Sequence, residues 1–395
     1  LKMPDYVLKT YSRINLQFTH GRGTWLFSGD GKKYLDFAAG IAVNLLGHSH
    51  PILIRALNEQ ANKVWHTSNL YKIKEQEDLA KVLCKSSFAK KVFFCNSGAE
   101  ATDGLMKIIR RYHYFNGNNE RTKIIVFDNA FHGRTLTGIL AGSTKSHREG
   151  FLPHKKTNGG FLRAKFQNIE DVRKAVNEKV AGIFLEPIQG EGGINVAKLN
   201  FLKDVRRICN EKKILLGLDE VQSGIGRTGK IFAYQWSTIK PDILTSAKGL
   251  GGGFPIGAIL MNKKVADAIR PGSHGSTFGG NQLACKVAGS IMKEVTKKNF
   301  LKQVLDKGLL LKAGLEKLQS YHMHKINAVY GKGLMLGLGC KISNVKLNEM
   351  AREKGLLLVP AANNVLRLLP PLNVKKTEIN LALDILNSSL KDIND

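Results

Sequence analysis

Acidic residues are scarce in this sequence, and long hydrophobic runs are absent. Only 32 of the 395 residues are Asp or Glu, against 60 Lys or Arg. No apolar stretch approaches the ~18 residues that cross a bilayer, so we expect no membrane span. Proline is sparse at 10 residues, and the 40 glycines follow no Gly-x-y period, which excludes collagen and proline-rich linkers. With 43% hydrophobic residues, the chain can form a large globular core.

Cysteine is also rare, and its spacing excludes two common cysteine-based architectures. The five cysteines are Cys84, Cys95, Cys209, Cys285 and Cys340. Their odd number, long spacings and lack of Cys-x-x-Cys argue against a disulfide framework and a zinc ribbon. The two His-x-His pairs have no further ligands at short spacing, so we predict no metal site. Reduced thiols, and an amino end without a signal-peptide core, indicate a cytoplasmic protein.

The excess of basic residues gives a formal net charge of +28, which is typical of many nucleic-acid-binding proteins. The basic residues are nevertheless scattered as isolated pairs such as Lys32-Lys33 and Lys212-Lys213, without a basic arm or helix. We interpret the charge as solvated surface that attracts small anions, and we expect no nucleic-acid partner. A nucleic-acid-binding regulator is the alternative of a different class.

The middle of the chain alternates between strand-like and helix-like segments. Short continuous apolar runs predict strands buried on both faces. They are Val92–Cys95, Lys123–Phe127, Ala181–Leu185, Ile214–Leu218, Ile243–Thr245 and Ile256–Met261. Between them, Ala101–Tyr114 and Phe201–Lys212 read as amphipathic helices. This alternation predicts an α/β fold around a mostly parallel sheet.

The two ends of the chain follow other patterns. Thr24–Phe37 predicts a hairpin, and Leu283–Gln319 predicts a long helical stretch. Short strands near Leu334–Leu338, Leu356–Val359 and Val365–Leu369 and a helix over Thr377–Lys391 follow. We therefore predict an amino-terminal arm (1–45), a large α/β domain (46–283) and a small α+β domain (284–395), with the arm packed on the small domain.

The ends of the predicted strands carry the residues best suited to chemistry, at the edge where open α/β sheets bind ligands. The first strand leads into Ser97-Gly98-Ala99 and a helix start, where free N–H groups and the helix dipole suit a phosphate. Asp219 ends the fourth strand, and Lys248 follows the fifth. Taken singly, these are a helix cap and a surface lysine. Together they match the needs of pyridoxal phosphate: a lysine for the Schiff base, an acid for the pyridine nitrogen and a phosphate cradle.

These residues belong to a series of segments through which the chain resembles the class-III, fold-type-I, pyridoxal-phosphate-dependent aminotransferases over nearly its whole length. The segments are Gly40–Pro51, Val64–Asn69, Asn96–Ala101, Ala130–Thr135, Glu186–Gly193, Leu218–Gln222, Ser246–Lys248 and Gly272–Asn281. The resemblance implies a large cofactor-binding domain, a small domain from both chain ends, and a homodimer with shared active sites.

For the cofactor ring, the resemblance implies a role for each matching residue. Lys248 is the Schiff-base lysine, and Asp219 faces the pyridine nitrogen. Val221 and Phe131 pack on opposite faces of the ring, and Gln222 lies near the ring hydroxyl.

For the cofactor phosphate, the resemblance implies backbone contacts from Gly98 and Ala99. The family often has Thr where Ala99 stands, so one hydroxyl is absent, but the backbone donors are kept. Thr277 is expected to reach the phosphate of the neighbouring subunit. Glu220 is counted with the cofactor-binding residues.

For substrates, the resemblance implies two arginines and a switch. Arg134 is expected to bind a substrate carboxylate, with Ser276 near the substrate. Arg367 is expected to bind the α-carboxylate of glutamate or 2-oxoglutarate. Glu191 is expected to cover Arg367 while an ω-amino substrate reacts.

The reaction implied is a two-step amino transfer. The δ-amino group of N-acetylornithine is donated first, and 2-oxoglutarate then accepts it and leaves as glutamate; the reverse direction serves arginine biosynthesis. Succinyl-diaminopimelate, ornithine and 4-aminobutyrate are the alternative donors within the same chemistry.

Overall fold

A seven-stranded sheet lies at the centre of the computed structural model, which describes residues 6–152 and 158–393. The strands are β1 (Phe18–Arg22), β2 (Trp25–Ser28), β3 (Lys33–Asp36), β4 (Lys91–Cys95), β5 (Lys123–Phe127), β6 (Phe161–Ala164), β7 (Val180–Leu185), β8 (Ile188–Gln189), β9 (Asn195–Val196), β10 (Leu215–Asp219), β11 (Ile243–Ser246), β12 (Gly257–Met261), β13 (Ile326–Lys332), β14 (Met335–Cys340), β15 (Leu356–Leu357), β16 (Val359–Ala361) and β17 (Val365–Leu368). The helices are α1 (Ala39–Ala42), α2 (Pro51–Ala61), α3 (Lys74–Lys85), α4 (Gly98–Phe115), α5 (Leu136–Ala141), α6 (Ile169–Ala175), α7 (Leu199–Glu211), α8 (Lys263–Ala266), α9 (Gln282–Val295), α10 (Phe300–Tyr321), α11 (Asn344–Glu353) and α12 (Lys376–Asp392).

The central sheet has the strand order β4-β12-β11-β10-β7-β5-β6. Strands β6, β5, β7, β10 and β11 pair in parallel, and β12 runs antiparallel to both β11 and β4. The predicted α/β fold with a mostly parallel sheet is confirmed. Strand β6 was not predicted, because its sequence Phe-Leu-Arg-Ala at the sheet edge exposes Arg163 and breaks the apolar run.

Helices pack on the sheet through the apolar faces that the sequence indicates. In α7, Leu202, Val205 and Cys209 are buried at helical spacing, while lysines and arginines face outward. Burial of such faces is the main favourable free-energy term for this layer. None of the helices in the described ranges has the length and hydropathy of a membrane span.

The predicted long helix after residue 283 is two helices. Helix α9 ends at Val295 and α10 begins at Phe300, with Asn299 in the left-handed conformation at φ 68° between them. Helix α9 packs on α2 and α3, whereas α10 packs on α12 and β13. The predicted domain boundary at 284 therefore falls inside α9, and the packing partners change at 296–299. The outermost residues of the predicted end segments, 1–5 and 394–395, lie outside the described residues.

The two chain ends meet in the structure. The predicted hairpin is present as β2 and β3, and β3 pairs in parallel with β15, with Leu35 opposite Leu356. The buried Glu378 of α12 accepts hydrogen bonds from Thr24 Oγ1 (3.1 Å) and Trp25 Nε1 (3.0 Å). The carboxyl-terminal part of the chain also forms a second sheet of order β13-β14-β17-β16, in which strand β17 carries Arg367.

Candidate active site

The two residues at the centre of the site lie at the carboxyl ends of neighbouring strands. Strand β10 ends at Asp219, which is paired with Thr245 of the parallel strand β11, and Lys248 follows two residues after β11 ends. Both strands are buried along their whole length. Parallel strands deliver their carboxyl ends to one edge, so the sheet places Asp219 and Lys248 side by side.

The Asp219 carboxylate is buried and contacts three hydrogen-bonding groups. Thr245 Oγ1 and the Val221 N–H donate to Oδ1 at 3.2 and 3.1 Å, and His132 Nδ1 lies 2.8 Å from Oδ2. His132 is itself buried and stacks near Phe184, with ring centroids 4.2 Å apart. Sequence reasoning gave His132 no role. The available signal was its place in the loop after β5, whose carboxyl end lies at the same sheet edge.

A second buried acid, Glu186, lies near Asp219. Burial raises its pKa well above the ordinary value, and the negative charge of Asp219 raises it further. Its oxygens accept the backbone N–H groups of Phe131 at 3.2 Å and Gly190 at 3.4 Å. Burial and the neighbouring carboxylate thus both favour the protonated form of Glu186 over its charged form. This residue was also given no role from the sequence.

Lys248 begins a short 3₁₀ turn, Lys248–Leu250, with the unusual φ of +44°. Burial lowers the pKa of Lys248 to about 8, and Arg367 lowers it as well, whereas Glu191, Asp219 and Glu186 act in the opposite direction. Within the described residues, its Nζ has no hydrogen-bond partner. A pKa near 8 leaves about a tenth of the amine neutral at pH 7, so the group can act as a nucleophile or base.

The start of α4 offers an anion site. The Ser97 hydroxyl caps the helix by accepting the Glu100 N–H at 3.1 Å, and the N–H groups of Gly98 and Ala99 have no protein acceptor within the described residues. A Cβ on Gly98 would lie 2.7 Å from Val221 Cγ1, so only glycine fits this close approach. Free N–H groups and the helix dipole suit a phosphate at this position.

Four of the predicted site residues meet at one cavity of about 1000 Å³. Phe131, Arg134, Glu191 and Lys248 all line it. The Arg134 guanidinium is exposed and lies 6.0 Å from the Phe131 ring centroid. His147, which sequence reasoning missed, also lines the cavity and meets the Phe131 ring edge-on at 6.0 Å.

Much of the cavity wall is apolar. The apolar side chains are those of Ile41, Leu136, Ile139, Phe151 and Val345. Ile41 lies in α1, where Ala39, Ile41 and Ala42 all have φ between 47° and 64°. Left-handed backbone at residues other than glycine costs about 1–2 kcal/mol each. Such strain is typical of functional sites that the surrounding structure holds in place.

Arg367 and Glu191 form a bidentate ion pair next to this cavity. Arg367 Nη1 and Nη2 donate to Glu191 Oε1 and Oε2 at 2.6 and 2.9 Å. Gln222 contacts both partners: its Nε2 donates to Glu191 at 3.4 Å, and its Oε1 accepts from Arg367 at 3.3 Å. Burial opposes ionisation of Glu191, but Arg367 outweighs it, and the pKa of Glu191 is lowered. The structure thus brings together the two residues predicted to form the switch.

The carboxylate of Glu220, another predicted site residue, binds backbone and side-chain groups outside this cavity. Both Glu220 oxygens are occupied by the N–H groups of Ala233 and Tyr234, and the Ser223 hydroxyl donates to one of them. Its carboxylate therefore supports a turn, and its role in cofactor binding stays a prediction.

The segment with Ser276 and Thr277 does not line the cavity of its own chain. Ser276 Oγ accepts from Asn96 Nδ2 at 3.2 Å, and Asn69 Nδ2 donates to the Ser276 carbonyl at 3.0 Å. Thr277 is exposed at the surface. Its predicted contact requires a second subunit.

Comparison with known proteins gives similarity along nearly the whole chain. Residues 6–390 match the family model described as Aminotransferase class-III. The acetylornithine aminotransferase of Mesorhizobium japonicum is 48% identical over 387 residues, covering 98% of this chain and 96% of that protein. The acetylornithine aminotransferase of Caldanaerobacter subterraneus is 46% identical over 391 residues, covering 98% of both.

Solved structures give the same result. The ornithine aminotransferase of Toxoplasma gondii is 30% identical with a TM-score of 0.93, covering 98% of this chain and 92% of that one. The N-acetylornithine aminotransferase of Stenotrophomonas maltophilia is 36% identical with a TM-score of 0.84, covering 96% and 97%.

Proposed function

The chain belongs to the class-III aminotransferase family, whose members are pyridoxal-phosphate-dependent transaminases, and on this premise we propose that its amino donor is N-acetylornithine. The acceptor is 2-oxoglutarate, and the products are N-acetylglutamate 5-semialdehyde and glutamate. The observation that carries the proposal is the cavity lined by Arg134 and apolar side chains, with Arg367 covered by Glu191.

The residues present fit pyridoxal phosphate. Gly98 and Ala99 would hold the phosphate through unused N–H groups, and Phe131 and Val221 would hold the ring. Asp219 is the buried anion that would pair with the pyridine nitrogen, and the Nζ of Lys248 is free to attach the cofactor. When bound, the cofactor supplies an electron-accepting ring that stabilises negative charge on the substrate carbon.

Lys248 acts as the proton carrier. With the cofactor bound, the Nζ of Lys248 would accept the proton from the donor carbon that bears the reacting nitrogen. The low pKa of about 8 suits this role, because the amine must be neutral to accept a proton near neutral pH. Burial of Lys248 beside the apolar wall also keeps bulk water from competing for that proton.

The remaining chain residues set charge and orientation. The Asp219 carboxylate accepts hydrogen bonds from Thr245 Oγ1 and the Val221 N–H, and the raised pKa of the neighbouring Glu186 favours the neutral form of that second acid. His132 Nδ1 holds the carboxylate in one orientation. This arrangement would keep the pyridine nitrogen protonated while the substrate carbon loses its proton.

Two arginines allow one cavity to accept two different substrates. With Glu191 on Arg367, as in this structure, Arg134 is the arginine exposed at the cavity, and it would bind the carboxylate of acetylornithine. For glutamate, Glu191 must leave Arg367 so that the guanidinium can bind the α-carboxylate as a planar fork. The closed pair therefore corresponds to the state that accepts the ω-amino donor.

The cavity wall favours an N-acylated donor over ornithine. Within the described residues that line it, Glu191 is the only carboxylate, and Arg367 already occupies it. The free α-ammonium of ornithine would lose its hydration here without gaining an anionic partner. An acetyl group removes that charge and adds apolar contact. Ornithine is the second candidate, because the Toxoplasma gondii ornithine aminotransferase has a TM-score of 0.93.

Spectra of single half-reactions test the donor. The cofactor absorbance of the purified enzyme should change fastest, per unit concentration, with acetylornithine, and at least tenfold more slowly with ornithine, succinyl-diaminopimelate and 4-aminobutyrate. A faster change with ornithine or another donor would overturn the proposal for acetylornithine while leaving the transaminase assignment in place.

We propose that two chains complete each site. Asn69 and Ser276 join two surface segments, and His66 and Phe278 also meet there, with ring centroids 5.2 Å apart. These segments expose the large apolar side chains of Trp65, Leu70, Tyr71 and Phe278. Burial of that patch against a second copy would bring Thr277 to the partner's phosphate site. A cytoplasmic location stays a prediction.

A further inference from the structure

Arg227 is a buried cation that has no acidic partner among the residues described by the structure. The side chain is completely inaccessible to solvent, and its Nη1 donates to the carbonyl oxygens of Leu334 at 3.1 Å and Pro370 at 2.5 Å. Within the described residues, Nε and Nη2 have no hydrogen-bond partner. Burial lowers the pKa of Arg227 to about 9, so the guanidinium is still charged near pH 7. An unpaired buried cation is costly, so its position calls for a functional reason.

The two carbonyls held by Arg227 lie at the same end of the paired antiparallel strands β14 and β17. Pro370 follows β17, which carries Arg367, by two residues. Leu334 immediately precedes β14, and Gly337 of β14 is the direct cross-strand partner of Arg367. One guanidinium therefore fixes both strands that set the backbone position of Arg367.

The contact between Arg227 and the sheet that contains β14 and β17 is close enough to fix their relative position. The Arg227 carbonyl also accepts the Leu334 N–H at 3.1 Å, so the two residues are joined in both directions. A Cβ on Gly333 would lie 2.6 Å from the carbonyl carbon of Thr228. Backbone approaches this close define one fixed arrangement of the segment 226–229 and the β13–β14 turn.

The same segment of chain carries Gln222 at its other end. Gln222 accepts a hydrogen bond from Arg367 at 3.3 Å, and Asp219 lies three residues before it. The stretch from Asp219 to Arg227 thus contacts the Arg367 side chain through Gln222 and fixes its backbone through Arg227. Gln222 and Arg227 therefore fix the position of strand β17 relative to the central sheet.

We propose that Arg227 is a positioning residue for Arg367, which it holds at the distance from Lys248 that binding of the glutamate α-carboxylate requires. The proposal rests on the proposed function, because it takes Arg367 as the site of glutamate and 2-oxoglutarate. Arg227 contacts neither substrate, and acetylornithine binding through Arg134 does not depend on it. Its effect is therefore specific to one half-reaction.

The test compares two half-reactions in Arg227→Met and Arg227→Lys. Met is unbranched and apolar and removes the cation without leaving a charge buried, so the variant should fold. We expect the glutamate concentration for half-maximal rate to rise about tenfold in Arg227→Met, because small misplacements of a binding group cost at least this much. Arg227→Lys, which keeps the charge and one donor group, should show a smaller rise. The acetylornithine half-reaction should change less than twofold in both.

The matched control is Arg110→Met. Arg110 also donates to two carbonyls, those of Thr122 and Gly159, but these lie within the large domain. This variant should leave both half-reactions unchanged. Equal loss in both half-reactions of Arg227→Met, or an unchanged glutamate half-reaction, would overturn the proposal. If the wild-type enzyme does not react with acetylornithine, the donor assignment fails instead, and the comparison is made with the ω-amine that does react.

Discussion

His132 Nδ1 and Asp219 Oδ2 lie 2.8 Å apart in the protein interior, although they follow the ends of two different strands. The contact joins the loop after β5 to the end of β10, across β7. This hydrogen bond orients the Asp219 carboxylate, and the raised pKa of the neighbouring Glu186 favours the neutral form of that second acid. The electrostatics of the site thus depend on a buried group of three, of which only Asp219 has a role that the sequence suggests.

Removal of the Asp219 charge should strongly slow turnover. Asp219→Asn would leave the pyridine nitrogen without its anion, and breaking a buried ion pair costs about 3–5 kcal/mol. Since about 1.4 kcal/mol is tenfold in rate, we expect a loss of roughly two to three decades in kcat. The thermal unfolding midpoint should change little. Near-normal turnover would show that Asp219 is not the partner of the pyridine nitrogen.

The rate at which Lys248 attaches the cofactor should depend on pH, with a midpoint near pH 8. Its pKa is lowered by folding, so the amine is protonated below about pH 8 and neutral above it. The neutral amine is the nucleophile, so the rate at which apoenzyme regains cofactor absorbance should rise with pH through about 8 and then level. Borohydride should fix the cofactor on Lys248. A labelled peptide with a different lysine, or a rate independent of pH, would contradict the assignment.

Loss of Glu191 should favour glutamate over acetylornithine. Glu191→Ala exposes the Arg367 guanidinium permanently, so the α-carboxylate of glutamate no longer competes with an internal anion. We expect a faster glutamate half-reaction and a slower acetylornithine half-reaction, each followed by cofactor absorbance under single-turnover conditions. Glu191→Gln is the control, because it keeps the size of the side chain and loses only its charge. Equal effects on both substrates would argue against a switch.

The two arginines should separate the substrates. Arg367→Ala should chiefly impair glutamate and 2-oxoglutarate, because it removes a bidentate carboxylate contact. Arg134→Ala should chiefly raise the KM for acetylornithine. Steady-state measurements with each substrate varied in turn distinguish the two effects. If Arg367→Ala slowed both half-reactions equally, Arg367 would be a structural residue or a general anion clamp.

Hybrid dimers should recover activity from two inactive chains. Lys248→Ala removes the catalytic lysine, and Thr277→Arg blocks the phosphate site of the partner. A hybrid retains one intact site, so an equal mixture with free subunit exchange should reach about a quarter of wild-type activity. Each variant alone is the control. An active monomer at assay dilution would contradict shared sites.

The sequence predicted the central sheet well because its strands are apolar on both faces. Strand β5 has the predicted limits, and β10 and β11 differ from their predicted limits by a residue or so. The break between α9 and α10 was missed, since apolar residues continue on either side of Asn299 and a left-handed residue leaves no periodic signal.

At the site, the chemically distinctive residues were predictable and their supporting residues were not. Lys248 and Asp219 stand at strand ends, where function concentrates, and a known motif accompanies each. His132 and Glu186 act through burial and through contact with residues distant in sequence, which a pattern of residue types does not record. Glu220 shows the converse: it adjoins Asp219 in the chain, but its carboxylate binds the turn at Ala233 and Tyr234.

The pairing of the two chain ends has a consequence for synthesis on the ribosome. Thr24 and Glu378 hydrogen-bond across 354 positions of sequence, and β3 has no partner on its β15 side until Leu356 and Leu357 have emerged. At roughly 5–20 residues per second, the hairpin waits about 20–70 seconds for these contacts. The central sheet can form during that interval, whereas the contacts of the β2–β3 hairpin with β15 and α12 form only afterwards. Helix α12 thus completes the packing of this hairpin, and loss of α12 would leave Thr24 and Trp25 without their buried partner Glu378.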